Sequence, residues 1–239
     1  MNKIENLKNF LLQNLDKVEF DSACGGNYES PDFDLNPHDY LKFAKLELDN
    51  LSNANTENNK LHILNCIFHL KRAVDCQLDV FLFQLNLYKI VKEKNLKFDK
   101  KLDFIKEIGI IESSSLSRLN HLRNKMEHQY KYPDIVEIQV YYDLVNAFVS
   151  LIESNMVIFL SAVEIGLFTD ECFFDIEYKF LEIPEINFQI RYRDSRSPLS
   201  ITVAFSFSEL KEFTYYLRIL FILGRSYFLN YNIDKHKLI

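Results

Sequence analysis

The residues best able to do chemistry lie in LNHLRNKMEHQY, residues 119–130, where Arg123 and Asn124 are followed by His128 and then Tyr130. A histidine titrates near neutrality, so it can take a proton from a hydroxyl or give one to a leaving oxygen. An arginine fork can hold the nonbridging oxygens of a phosphate as negative charge develops. Phosphodiester chemistry built this way needs no metal. On a helix, Leu116, Leu119, Leu122, Met126 and Tyr130 trace one stripe, and Asn120, His121, Asn124, Lys125 and His128 lie on the other side. Arg123 and His128 are separated by about 140° around such a helix. One helix therefore does not stack them, and a site shared between two copies is favoured. The plainer alternative is a polar helix face that meets solvent.

Around this stretch the charge is distinctive. Residues 118–131 hold Arg118, Arg123, Lys125 and Lys131 against Glu127 alone, in a chain of net charge -6. That total argues against coating nucleic acid by bulk attraction, which relies on many cationic contacts. It leaves room for a local basic site at Arg118, His121, Lys125 and Lys131.

The elements that must position these residues are read from periodicity and breakers. Residues 2–20 carry Ile4, Leu7, Phe10, Leu11 and Leu15 near helical spacing, and the turn-rich DSACGGNYESPDFDLNP follows, so an amino-terminal arm and linker are expected over 1–35. Pro37 sits just inside a helix start after Asn36. Residues 60–91 contain no Gly or Pro and repeat apolar positions at three and four, which predicts one long core helix. A shorter helix ends at Gly109, the stretch bearing Arg123 runs to Pro133, and residues 134–163 make a further helix. Beyond Gly166, CFFDIEYKF, INFQIRYRD and LSITVAFSFS read as three strands, and a last helix capped by Ser208 packs on their sheet. The expected fold is mainly α: a helical bundle over 36–160, with a small α+β element over 161–239.

With 239 residues, 48% of them hydrophobic, the chain can bury a core without staples. Cys24, Cys66, Cys76 and Cys172 form no CxxC, so reduced thiols in a cytoplasmic protein are expected. The amino terminus lacks the apolar core and small-residue cleavage site of a signal peptide. RILFILGRSYFL is the nearest approach to a membrane span, and Arg218, Gly224 and Arg225 interrupt it. No membrane partner is expected. His62, Cys66 and His69 share a broad helix face, but no fourth ligand is compelled, and no metal is expected there. Asp32, Asp34 and Asp39 lack the spacing of a calcium loop. Arg191, Arg193 and Arg196 beside Tyr192 could touch RNA, although a charged sheet edge has the same composition.

RNKMEHQY matches the RX4HXY form of the motif of the HEPN superfamily, the higher eukaryote and prokaryote nucleotide-binding domains. Its placement on a late helix after a long one is similar too, and LKRAVDCQLD resembles the charged stretch that faces the motif in many such domains. The resemblance covers about half the chain. It implies an antiparallel helical bundle and a metal-independent endoribonuclease, without cofactor, in a toxin-antitoxin or phage-defence system. Arg123 would bind the scissile phosphate, His128 would transfer the proton and Asn124 would help orient the pair. Tyr130 matches a tyrosine that nucleotidyltransferase antitoxins adenylylate, and Asp75 would be an orienting or salt-bridging carboxylate near Arg123. The cleft would lie at a twofold dimer interface, with RNA as substrate and an antitoxin or defence protein as partner. A noncatalytic HEPN scaffold and an RNA-binding regulator are the competing expectations. The arm and the strand-rich end have no counterpart in the minimal family bundle.

Overall fold

The structure is a computed structural model that describes residues 3–14, 16–17, 19–26, 29–51, 56–111, 116, 118, 124 and 135–229. Its elements run α1 (Lys3–Asn14), β1 (Glu19–Cys24), α2 (Pro37–Leu51), α3 (Thr56–Gln84), α4 (Tyr88–Glu93), α5 (Phe98–Glu107), α6 (Ile135–Ser161), β2 (Glu164–Phe168), β3 (Cys172–Lys179), β4 (Glu185–Tyr192), β5 (Leu199–Ala204) and α7 (Leu210–Leu229). The fold is mainly helical, with a strand-containing element drawn chiefly from the carboxyl-terminal third.

Helix α2 begins where its sequence said it should. Pro37 has no N–H to leave unpaired, and Asn36 Oδ1 accepts from the amides of His38 at 2.9 Å and Asp39 at 3.1 Å. Asp39 completes a capping box by accepting from the Asn36 amide at 2.9 Å. Leu41, Ala44, Leu48 and Leu51 form its buried stripe. That stripe meets α3 through Ile63, Cys66, Ile67, Leu70, Val74 and their neighbours. Glu47 reaches His62 and Asn65, Phe43 packs on His69, and Cys76 reaches the Leu35 carbonyl, so α2 and α3 run antiparallel. His38 meets Glu153 and Lys45 lies over Tyr142, so α2 is antiparallel to α6 as well. Helices α3 and α6 are consequently parallel. The chain between them carries α4, α5 and the Arg123 stretch.

The expected single helix over 60–91 is broken, which corrects that reading. Asn86 adopts φ 53° after the end of α3, the Leu87 amide bonds to Leu82 O, and the Asn86 amide bonds to Phe83 O. This is a Schellman motif with asparagine in the left-handed position, closed by the apolar pair Leu82 and Leu87. The same device ends α4 at Asn95, φ 49°, and α5 at Gly109, φ 73°. Periodicity did not show the first two stops because Asn is only a weak breaker signal beside Gly and Pro.

The sheet is antiparallel and five-stranded, in the order β1-β2-β3-β4-β5. Three of these strands were expected. Residues 19–24, read as the edge of an arm and a linker, instead form β1, which pairs with β2 and bulges between Phe20 and Ser22. β2 was missed because Gly166 interrupts its short apolar run. On β3, Cys172, Phe174, Ile176 and Tyr178 face inward, alternating with half-buried residues on the other face. Helices α1 and α7 cover the inner face: Phe10 stacks edgewise on Phe174 at 4.7 Å and on Phe188 at 5.5 Å, and Tyr216 donates to Lys3 O at 2.9 Å. Phe221 of α7 stacks on Phe81 of α3 and Phe159 of α6, and Tyr178 donates to Leu85 O at 2.6 Å. The cores of bundle and sheet are thereby continuous, each large buried side chain contributing about 1.5–3 kcal/mol. Helix α7 starts at Leu210, with Ser208 bonded to Ser206 rather than capping it.

One composition reading also changes. Ile138–Ser161, with a mean hydropathy of 1.6, is long and apolar enough to cross a membrane by length and composition. Asp143 and Glu153 hid it from a search for uncharged runs. In this fold Ile138, Val145, Phe148, Val149, Ile152 and Met156 bury that helix against its neighbours.

Candidate functional site

Within the stretch that drew attention first, Arg123, His128, Tyr130, His121, Lys125 and Lys131 lie outside the described residues. Of the rest, Leu116 is buried, Arg118 is exposed and Asn124 is half-buried, and all three are helical. The anchors on either side are well defined. Before it, α5 stops at Gly109, whose carbonyl accepts from Arg225 Nη2 of α7 at 3.4 Å. A Cβ at Gly109 would stand 3.3 Å from Arg218 Nε, so both its left-handed φ and this approach call for glycine. After it, α6 begins at Ile135, at the end of the bundle where α2 finishes and α3 starts.

Asp75, the remaining candidate, is described in full. It lies on α3 between Lys71 and Asp79, four residues from each, so the three share one helix face. Lys101 of α5 places its Nζ 3.0 Å from Asp75 Oδ1 and 2.6 Å from Asp79 Oδ1, while Lys71 Nζ stands 3.6 Å from Asp75 Oδ2. Burial pushes the Asp79 carboxyl above its ordinary value, against the pull of Lys101. The Lys101 ammonium is burdened by burial too, yet its bonds and charges with Asp79 and Asp75 raise it above the usual lysine value. Asp75 is thus an ion-pair partner of α5 and of its own helix. The expected pairing with Arg123 falls outside the described residues.

These carboxylates open onto a cleft of about 920 Å³ between α3, the start of α2, α4 and residues 32–35. Tyr40 and Tyr88 line it, with Lys71, Arg72, Asp32 and Asp34 among its charged groups. Cys76 sits in its wall, its thiol pushed up to about 11 chiefly by burial and donating to Leu35 O at 3.6 Å. Sequence reading missed this cleft. Its walls come from separate segments, and no spacing along the chain links them.

Other candidates resolve into structural roles. His62 Nδ1 is 2.6 Å from Glu47 Oε2, Cys66 is fully buried, and burial lowers His69 beside Phe43. Among the described residues no group of three or more His, Cys, Asp or Glu side chains could hold a metal ion. Asp39 is spent on the α2 cap. Arg191 lies over Phe173 and binds Asp175 at 2.8 Å, and Arg196 lies over Tyr192 and binds Asp194 at 2.8 Å. Carboxylates thus already engage both of these strand-end cations. Comparison of the chain with family models, with curated proteins and with solved structures finds no match.

Proposed function

We propose that the chain is a metal-independent endoribonuclease of the HEPN type, acting in the cytoplasm within a toxin-antitoxin or phage-defence system. The observation that carries this reading is the pattern Arg123, Asn124, His128 and Tyr130 in a locally cationic stretch leading into α6. The antiparallel pairing of α2 with α3 and α6 supports it as a helical context. In the reaction, a ribose 2'-oxygen bonds to the adjacent phosphorus and the bond from phosphorus to the 5'-oxygen breaks. His128 moves the proton and Arg123 holds the nonbridging oxygens, leaving a 2',3'-cyclic phosphate and a 5'-hydroxyl. Asn124 orients the pair, Arg118, His121, Lys125 and Lys131 bind RNA, and Tyr130 is the point at which an antitoxin would silence the enzyme. The separation of Arg123 and His128 around one helix makes the active form a homodimer. DNA lacks the nucleophile.

The net charge of -6 favours one rival, a noncatalytic HEPN scaffold in a defence complex. RNA cleavage in EDTA by wild type, Arg123→Ala and His128→Ala, with the product ends identified, decides between them. Cleavage by wild type with cyclic phosphate ends, reduced about 10²–10⁴-fold in His128→Ala, is the expected result. Equal cleavage by wild type and mutant removes the assignment, and no cleavage by a verified dimer supports the scaffold.

A further inference from the structure

Among the described residues the sheet ends on β5, and this edge is built unlike the other one. In the β4–β5 ladder the Phe205 amide bonds to Pro184 O at 2.8 Å, and the register pairs Ile186 with Val203 and Phe188 with Ile201. Antiparallel ladders alternate hydrogen-bonded and non-hydrogen-bonded pairs. The backbone groups of Ile201 and Val203 therefore point toward β4, and those of Ser200, Thr202 and Ala204 point away from it. Lys3 Nζ, 3.4 Å from Thr202 O on that outer side, agrees with this direction.

Edge strands are normally blunted by charge, proline or a bulge, because a row of outward amides and carbonyls is a template for another strand. The β1 edge carries Glu19, Asp21 and a bulge. β5 reads LSITVA, with neither charge nor proline, and its ladder with β4 runs without a shift in register. Among the described residues its guard is Lys3, which also lies 3.5 Å from Glu212 Oε2 and can release Thr202 while keeping that ion pair.

We propose that β5 pairs antiparallel with β5 of a second copy of this chain, about a twofold axis at Thr202, joining two sheets into one. The occupant follows from self-complementarity. Centred on Thr202, the outward-bonding residues pair as Ser200 with the partner's Ala204 and Thr202 with the partner's Thr202, all small and exposed. The intervening residues pair as Ile201 with the partner's Val203, both β-branched and buried on the inner face. The paired β5 residues carry no charge, and Lys3, which would meet its copy near the axis, must swing from Thr202 O toward Glu212 for the strands to join. Centring the pairing on Ser200 would set Thr202 against the partner's Pro198, which has no N–H to give. This interface is independent of the ribonuclease reading, which rests on Arg123 and His128.

Single cysteines test the register. In an antiparallel hydrogen-bonded pair the Cα atoms are about 5.5 Å apart, within disulfide reach. Ser200 and its own copy would be displaced by about 14 Å along the strands. Full-length Thr202→Cys is expected to form a covalent dimer on mild oxidation, whereas Ser200→Cys stays at the wild-type background set by the native cysteines. Thr202→Pro removes only an outward amide, so its circular dichroism should match wild type while its mass in sedimentation equilibrium falls by a factor of two. Crosslinking of Thr202→Cys no greater than that of Ser200→Cys overturns the proposal. An unchanged mass for folded Thr202→Pro does the same, and if that variant fails to fold the cysteine pair decides alone. RNA cleavage by a chain that does not crosslink through Thr202 would remove this interface and leave the enzyme reading standing.

Discussion

Replacing Lys101 by methionine should destabilise the protein in a way that depends on pH. Methionine keeps much of the apolar stem and deletes the ammonium that sits 2.6 Å from Asp79 and 3.0 Å from Asp75. The Lys101 side chain is only 12% exposed and that of Asp79 24%, so water replaces the lost bonds poorly. Asp75, at 36%, is better solvated, and its share is discounted accordingly. Breaking a fully buried pair costs about 3–5 kcal/mol, and a charge-assisted hydrogen bond contributes about 1.5–3 kcal/mol. For this partly wet triad about 2 kcal/mol at neutral pH is reasonable, a fall in Tm of roughly 4–8 °C for a chain of this size.

The sign of the pH effect follows from Asp79. Burial raises its folded carboxyl above the ordinary 3.8, so its contribution to stability is complete below that value and declines as pH rises through the folded one. Without Lys101 to favour the anion, that decline is deeper. The gap between wild type and Lys101→Met should therefore open as pH rises through the carboxylate range and close on acidification below 3.8. Lys101, held above the usual 10.5, supplies stability that is fully present below that value and lost as pH rises from there through its folded one, so the gap should close again in strong alkali. Urea unfolding across pH, with Asp79→Asn and the double variant completing a cycle, measures this. Asp79→Asn should cost less than Lys101→Met, and the double variant less than the sum. A Lys101→Met variant within about 0.5 kcal/mol of wild type at neutral pH, or a deficit constant with acidification, would refute the argument.

Tyr178→Phe removes the donor to Leu85 O and leaves a carbonyl unsatisfied in the core, a loss of about 1–3 kcal/mol readable by thermal unfolding. Asn95, at φ 49°, should accept glycine with little change in stability, while Asn95→Ala loses about 1 kcal/mol in the same assay because alanine keeps the Cβ and lacks the short polar side chain that lets asparagine tolerate this region. The Cys66 thiol, pushed up to about 12 by burial, should resist alkylation at pH 8 in the native protein and react on unfolding; rapid native labelling, located by mass spectrometry, would contradict its burial.

Local chemistry fixed much of the architecture in advance. The Asn36, Pro37 and Asp39 start of α2, the Gly109 stop of α5 and the alternation of β3 are each written within a few residues, and the structure follows them. The bundle stripes were legible because helical period and burial repeat together. The Arg123 to Tyr130 pattern is likewise a property of local spacing.

Tertiary structure decided the pairings between distant residues. Residues 19–24 look like linker because a short strand carries no helical period and its partner β2 lies far along the chain. Asp75 looks available until Lys101 arrives from α5, and the cleft above it exists only because residues 32–35, Tyr40 and Tyr88 are folded around α3. Whether β5 is an edge depends on the order in which all the strands assemble. Periodicity and capping act over one or two helical turns, whereas hydrogen-bond ladders and ion pairs take whichever partner packing brings near. The sequence by itself determined most of the helices, their stripes and three of the strands; only the fold chose which polar groups were spent on structure and which strands stand at the edges of the sheet among the described residues.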